Sequence, residues 1–391
     1  MSRMRFQKLE LLKKIYGHGS FVSGIFYYQK LDKFLTVSED GTARIWENRE
    51  GDFWPSYCYS FPSPCICLHV EEVLKEVFVG LKTGFIMLLK VSQDVSKFES
   101  VKSIHAHFDS VTHITVDTHE QLLLSCSFDS FFHVRRLSDQ TLIEQCSLQA
   151  GITCLKFDPE LKIFFLGTVE GDIAILKYEG SKSPNFHKYK GHAGSTTCLE
   201  WDGEKQRLFS GGEDHRIVIW NFKDEYGCFY ELNLHSKALL SLIYFPSSNE
   251  LVSLAKDDIL CFWDLSVKRL EAQRWESSRA CQVCGSQFFW TFSFSLKKNR
   301  QHHCRKCGRA VCSSCALQKI PYPIAGYENP VYICNECYSK ITAEERASTA
   351  SKLCLYGAHF LVYNAESKLF FSSNSDCSFR IYSLSLDQLQ Q

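Results

Sequence analysis

A chain of 391 residues that is 45 % hydrophobic and 14 % aromatic is long enough for a large core or two domains, and its aromatic share favours strands over disorder. The formal charge is zero, yet residues 275–340 hold nine Lys and Arg against three Glu, so this segment carries +6 and the remainder −6, and one surface is pointed at an anion. No window approaches the roughly 18 apolar residues of a membrane span, and MSRMRFQKLELLKK has no run long enough for a secretory signal, so a cytosolic chain with reduced thiols is expected.

In chain order, KLELLKKI (about residues 8–15) reads as a first strand. Gly17-His18 then leads into GIFYY and FLTVSEDGTARIWE, with Asp40 in a turn and Trp46 six residues on. The phrase returns as Gly191-His192, LEW and RLFSGGEDHRIVIWN, with Asp214 and Trp220. Weaker copies place Asp129 after Ala106-His107, Asp257 before Trp263, and Asp376 before Tyr382, while VGLKTGFIMLL and LGTVEGDIAIL carry Thr83 and Glu170 at the Asp position. The turn positions 40, 83, 129, 170, 214, 257 and 376 are spaced by 43, 46, 41, 44, 43 and 119 residues. Every ordinary step matches the roughly 40 to 45 residues of a four-stranded WD-repeat blade. Apolar runs bounded by Gly, Asp, Asn and Ser, with little 3.6-residue periodicity, support strands throughout. The expected fold is an all-β, seven-bladed propeller, closed by the first strand pairing as the outer strand of the last blade.

His18, Ser38 and Asp40, like His192, Ser210 and Asp214, have the residue types of a hydrolase triad. Their recurrence once per blade with a Trp points instead to an internal hydrogen-bonded tetrad, and neither a Gly-x-Ser-x-Gly elbow nor a phosphate-cradling Gly-rich loop is present, so no enzyme is expected.

The long step exceeds its predecessor by 76 residues, and within it eight of the 19 cysteines fall as four Cys-x-x-Cys pairs: Cys281/Cys284, Cys304/Cys307, Cys312/Cys315 and Cys334/Cys337. A two-residue spacer lets two thiolates reach one tetrahedral zinc from a tight turn, so four pairs make two closed, structural sites. Spacing leaves open which pairs share an ion. The other 11 cysteines lie mostly in apolar runs and read as buried free thiols.

Around the second pair the chain reads KKNRQHHCRKCG, with more cationic and titratable groups than zinc needs. The stretch from about 275 to 340 resembles the FYVE zinc finger, whose central basic-basic-His-His-Cys-Arg-x-Cys-Gly motif binds the headgroup of phosphatidylinositol 3-phosphate. The resemblance implies two Zn2+ in a cross-brace, Cys281, Cys284, Cys312 and Cys315 on one and Cys304, Cys307, Cys334 and Cys337 on the other. It implies a headgroup site of Arg300, His302, His303 and Arg305. It also implies a membrane-entering loop at Phe292, Phe294 and Leu296 followed by Lys297 and Lys298; the alternative for such aromatics is packing under the first zinc site, and this is the reading preferred for Phe288 and Phe289. The chain departs from the family pattern at three places: Ser278 stands for an aspartate, Gln301 for the second basic residue, and Tyr332 for a phosphate-binding arginine.

Taken whole, the chain resembles the WD-repeat and FYVE-domain-containing family, with repeats one to six in 1–273, a finger in 274–345 and a seventh repeat in 346–391. That resemblance implies an adaptor or scaffold recruited to phosphatidylinositol 3-phosphate on early endosomes, cytoplasmic and peripheral, with protein partners on the propeller. A homodimer would gain avidity on such a membrane. The alternative is a RING-like ubiquitin ligase adaptor, but RING fingers usually place a His among their ligands and all eight here are Cys. A nucleic-acid ligand is not expected, because the positive charge is confined to one segment beside apolar aromatics. ITAEERASTA (341–350) should form a short helix out of the finger. The finger should enter after the outer strand of blade six, at the rim that carries the Asp40 and Asp214 turns.

Overall fold

Where an apolar run is bounded by turn residues the chain forms a strand, and antiparallel neighbours build seven four-stranded blades, six of them separate sheets and the fifth extended to six strands by two strands of the finger. The computed structural model describes residues 7–178, 186–223, 227–270, 275–288 and 300–386. Blade one is Val22–Tyr28, Lys33–Ser38, Thr42–Arg49 and Asp52–Ser60, from the channel outward. Its second strand is buried at every residue and its outer strand at none, and the two kinds of apolar pattern in the sequence follow from this. Apolar clusters sit between neighbouring blades: Leu35, Val37 and Ile45 of blade one, for example, pack with Val77, Val79 and Leu89 of blade two.

The inner strand of every blade carries a register shift at its start, between Val22 and Gly24 in blade one and between Val111 and His113 in blade three. The extra residue is freed to reach sideways. Ser23 donates to the carbonyl of Cys65 at 2.7 Å and Thr112 to that of Ile152 at 2.9 Å, each a bond from one blade to the next.

The ring closes as expected: Gln7–Ile15 pairs antiparallel with Phe379–Leu386, so the start of the chain supplies the outer strand of blade seven. Tetrads hold the turns. In blade five His192 bonds Asp214 at 2.9 Å and Ser210 at 2.8 Å, and Trp220 Nε1 donates to the same hydroxyl at 2.9 Å. Blade one uses Thr36 where the sequence suggested Ser38, because Thr36 lies on the strand face turned toward His18 and Trp46. Ser38 instead donates to the carbonyl of Ser20. Thr36 and Ser210 are fully buried, so these sets are architecture.

The finger lies between the sixth and seventh sequence repeats, but the strand order moves its entry relative to the expectation. Blade six is Leu239–Phe245, Glu250–Ala255, Ile259–Asp264 and, after the finger, Ala350–Cys354. A sequence repeat begins with the outer strand of the preceding blade, so the insertion falls inside blade six, before its outer strand. In an up-and-down sheet that connection leaves from the rim opposite the Asp turns. The finger then runs along the outer edge of blade five: Asn233, the last residue of that edge strand, pairs parallel with Tyr327, and Asn329 Nδ2 donates to the carbonyl of Leu234 at 2.5 Å.

The helix expected over 341–350 is a single 3-10 turn, Glu344–Arg346. Thr342 and Glu345 cap one another, but the capped segment has no room to propagate, since Thr349 is drawn out by Glu328 and Ala350 already pairs with Trp263. The one α-helix among the described residues is Asn335–Tyr338, at the last cysteine pair.

Candidate functional site

Each cysteine pair sits on a tight turn closed by the backbone. After the first two pairs the turn ends on a glycine, Gly285 (φ 73°) and Gly308 (φ 76°), whose amides donate to the carbonyls of Cys281 and Cys304 at 2.8 and 2.9 Å. The sulfurs gather as Cys281, Cys284, Cys312 and Cys315, and as Cys304, Cys307, Cys334 and Cys337, all within 4.8 Å of one another in each group. Cys284 to Cys312 is 3.7 Å and Cys307 to Cys334 is 3.9 Å. Tetrahedral zinc at Zn–S distances near 2.3 Å requires sulfur separations of about 3.8 Å. The amides of Cys312 and Cys334 point at the sulfurs of Cys281 and Cys304, both at 3.3 Å, and Arg309 Nε points at Cys307 at 3.4 Å. Burial and then the neighbouring sulfurs push the Cys315 and Cys337 thiols well above the usual range. Four thiolates this close demand a dication, and the donor sets fit two Zn2+ in the cross-braced pairing.

The basic motif forms a short strand, Gln301–His303, paired with Ala310–Cys312. Successive residues face opposite ways, and the two histidines part accordingly. The His302 ring stacks on Tyr332 at 3.9 Å and 24°, with Nε2 3.2 Å from Ser313 Oγ. The His303 ring stacks on Trp275 at 5.1 Å and 15°. Arg305 lies over Trp275 at 4.3 Å and over Tyr327 at 5.4 Å, and donates to the carbonyl of His303 at 3.1 Å. Its Nε and His303 Nδ1 are buried without a partner among the described residues. Arg300 is exposed at the head of the strand. Phe292, Phe294 and Leu296, with Lys297, Lys298 and Phe289, lie outside the described residues. Phe288 packs against the cluster around the cysteines.

The basic residues divide by partner. Lys306 is held by Glu345 at 2.7 Å and Arg309 by Glu336 at 2.8 Å. Arg300, Arg305 and Lys319 have no carboxylate partner among the described residues, and all three act on His302: burial first, then Lys319, Arg300, Arg305 and His303, hold its imidazole below the usual range. Lys319 was not singled out from sequence. Its signal was the strand Gln318–Tyr322, which sets it directly opposite Tyr332. Of the positions where the chain departs from the family motif, Ser278 closes its own turn, donating to the carbonyl of Ala280 and accepting from its amide. Gln301 reaches His303 Nε2 at 3.5 Å.

Comparison with known proteins agrees with this geometry. The FYVE zinc finger family matches residues 271–343, and the WD domain, G-beta repeat family matches 9–47, 98–134 and 184–221. The propeller domain of Doa1 superposes with a TM-score of 0.63 over 96 % of this chain and 97 % of that one at 13 % identity, a likeness of fold. WD repeat and FYVE domain-containing protein 1 of Mus musculus is 33 % identical over 90 % of this chain and 87 % of its own length. Protein 2 of Homo sapiens is 32 % identical over 87 % and 86 %. Propellers and fingers of these two families are binding modules, and their union on one chain makes an adaptor or scaffold. By the extent and level of that identity, this chain belongs to the WD repeat and FYVE domain-containing protein family.

Proposed function

We propose that the chain is a peripheral adaptor whose finger recognises phosphatidylinositol 3-phosphate, bringing the propeller and its protein partners to early endosomes. The observation that carries this reading is the sorting of cations: Arg300, Arg305 and Lys319 lack carboxylates among the described residues and all act on His302 through space, whereas Lys306 and Arg309 are neutralised. An unneutralised cluster on a metal-rigid frame suits a phosphate monoester. Arg305 has the delocalised, always-charged head for it, with His302 and His303 as further donors. The loop of Phe292, Phe294 and Leu296 is assigned to the apolar part of the bilayer. No helix among the described residues is long and apolar enough to cross a membrane, and attachment through headgroup and loop needs none.

The test is co-sedimentation of the full chain with vesicles of equal total charge carrying phosphatidylinositol 3-phosphate, 4-phosphate or unphosphorylated phosphatidylinositol with compensating phosphatidylserine. Preference for the 3-phosphate, lost in Arg305→Ala with two zinc ions retained, is expected. Equal binding to all three would overturn the reading.

A further inference from the structure

We propose that Lys319 is a direct ligand of the headgroup phosphate, seated on Tyr332 and supplying a cation that the basic motif does not contain. The inference rests on the phosphoinositide reading and goes beyond it by naming a residue on a different strand.

Gln318–Tyr322 runs antiparallel to Tyr327–Ile333, and Lys319 is directly opposite Tyr332. Opposed residues on one face have Cβ atoms about 5 Å apart, so a long side chain at 319 lies along the tyrosine. The Lys319 ammonium is 4.2 Å from the centre of the Tyr332 ring, and the His302 ring stacks on that same tyrosine at 3.9 Å. Tyr332 thus joins the lysine to the histidine at the centre of the basic motif. Ser313, bonded to His302 Nε2, adds a hydroxyl to this edge.

Nothing among the described residues neutralises the lysine. Glu276 bonds Gln282, Glu328 bonds Ser348 and Thr349, Glu336 holds Arg309 and Glu345 holds Lys306. A lysine is a flexible, strongly hydrated point charge, and ordering it opposes binding. Resting on the ring that His302 also stacks on, Lys319 is already confined, so less freedom is lost when a phosphate arrives. The family resemblance puts a phosphate-binding arginine at 332, and the lysine held on the tyrosine is read as a two-residue replacement for it.

The experiment uses the full chain and four variants: Lys319→Gln, Lys319→Arg, Tyr332→Arg, and Lys319→Gln combined with Tyr332→Arg. Each is checked for two bound zinc ions. Affinity is measured for phosphatidylinositol 3-phosphate vesicles, for phosphatidylserine vesicles of equal charge, and for soluble inositol 1,3-bisphosphate. Loss of one charge-assisted hydrogen bond is expected to weaken the 3-phosphate vesicles and the soluble headgroup about tenfold each in Lys319→Gln, with little change on phosphatidylserine. Lys319→Arg should restore most of it, and the loss should shrink to about threefold or less when Tyr332 is already Arg. A loss on both kinds of vesicle but not with the soluble headgroup would make Lys319 a general surface charge and overturn the assignment, as would an unchanged affinity. If the unaltered chain shows no preference for the 3-phosphate, the phosphoinositide reading itself falls and this inference falls with it.

Discussion

Between blades five and six, Phe209, Ile217, Tyr230, Leu251 and Trp263 are buried against one another in a cluster drawn from two sheets. In the finger, five of the ten buried residues of the corresponding cluster are cysteines, with Val311, Ala316, Tyr322, Ile333 and Ile341 among them. The propeller is held by apolar area repeated around a ring, and the finger by thiolates that need a dication before they tolerate one another. The two regions therefore answer to different perturbations, although one chain passes from blade six into the finger and back.

Metal removal should separate them most. Chelation is expected to unfold the finger, since structural zinc contributes on the order of 10 kcal/mol in small domains, while the propeller's strand signal survives. Metal analysis should give two zinc ions per chain, and a single ion, or loss of the whole β signal on chelation, would break the distinction.

Next comes the boundary. Asp264 donates to the carbonyl of Thr349 and Arg269 bonds the hydroxyl of Thr349 at 2.9 Å, so the two ends of the insertion are adjacent. A chain lacking 270–347, rejoined by two glycines, is expected to fold as a propeller. Extending the deletion through 354 removes the outer strand of blade six and uncovers Trp263, and should cost several kcal/mol. Urea unfolding of both deletions measures this, and equal midpoints would place the outer strand elsewhere.

The contact between the regions is weaker. Gly326 has φ 84°, and a Cβ there would lie 1.8 Å from the Glu231 carbonyl oxygen, so Gly326→Ala should release the finger from blade five at about 1 to 3 kcal/mol. Hydrogen exchange is expected to rise at Asn233 and Tyr327 with zinc content unchanged. No change in exchange would mean that the docking does not depend on this close approach.

The smallest effect is acid sensitivity of the tetrads. Burial works to raise the Asp40 carboxyl, but bonds from Thr42, the Gly19 amide and His18 outweigh it and bring it to about 2. His18 is held below the usual imidazole range by burial, against the pull of Asp40. Unfolded, the two would titrate near 3.9 and 6.5. Both folded values are depressed, so the unfolded chain binds more protons and stability falls with pH, first below about 6.5 for His18 and then from about 4 toward 2 for Asp40, the Asp40 part amounting to about 2 kcal/mol once its partial exposure is discounted. Asp40→Asn should flatten the lower part of that slope in denaturant titrations across pH, and an unaltered slope would remove Asp40 as its source.

Much of this was legible before any coordinates. The recurring Asp turns with Trp46, Trp220 and Trp263 marked the blades, and the step of 119 residues after position 257 marked the insertion. These signals are local: a turn, a two-residue cysteine spacer or an alternating run specifies itself within a few residues, and repetition around a ring multiplies it. The cysteine pairing and the headgroup motif were read through family resemblance, and the structure brings the same sulfurs together.

Local pattern did not decide which partner a segment meets far along the chain. The ITAEERASTA stretch has a helical composition, yet pairing of Ala350 with Trp263, 87 positions earlier, pulls it straight. Ser38 and Thr36 both fit a hydroxyl between His18 and Trp46, and only the strand's orientation toward both rings selected Thr36. Lys319 looked like one basic residue among several until its register against Tyr332 placed it over the ring that His302 stacks on. Seven blades, an insertion and eight cysteines spaced for zinc could be read from the order of residues alone, because those are written in spacing. The tertiary structure alone decided the rim from which the finger leaves, the edge strand it docks on and which cations stay unneutralised, because each depends on strands that are distant in the chain and adjacent in space.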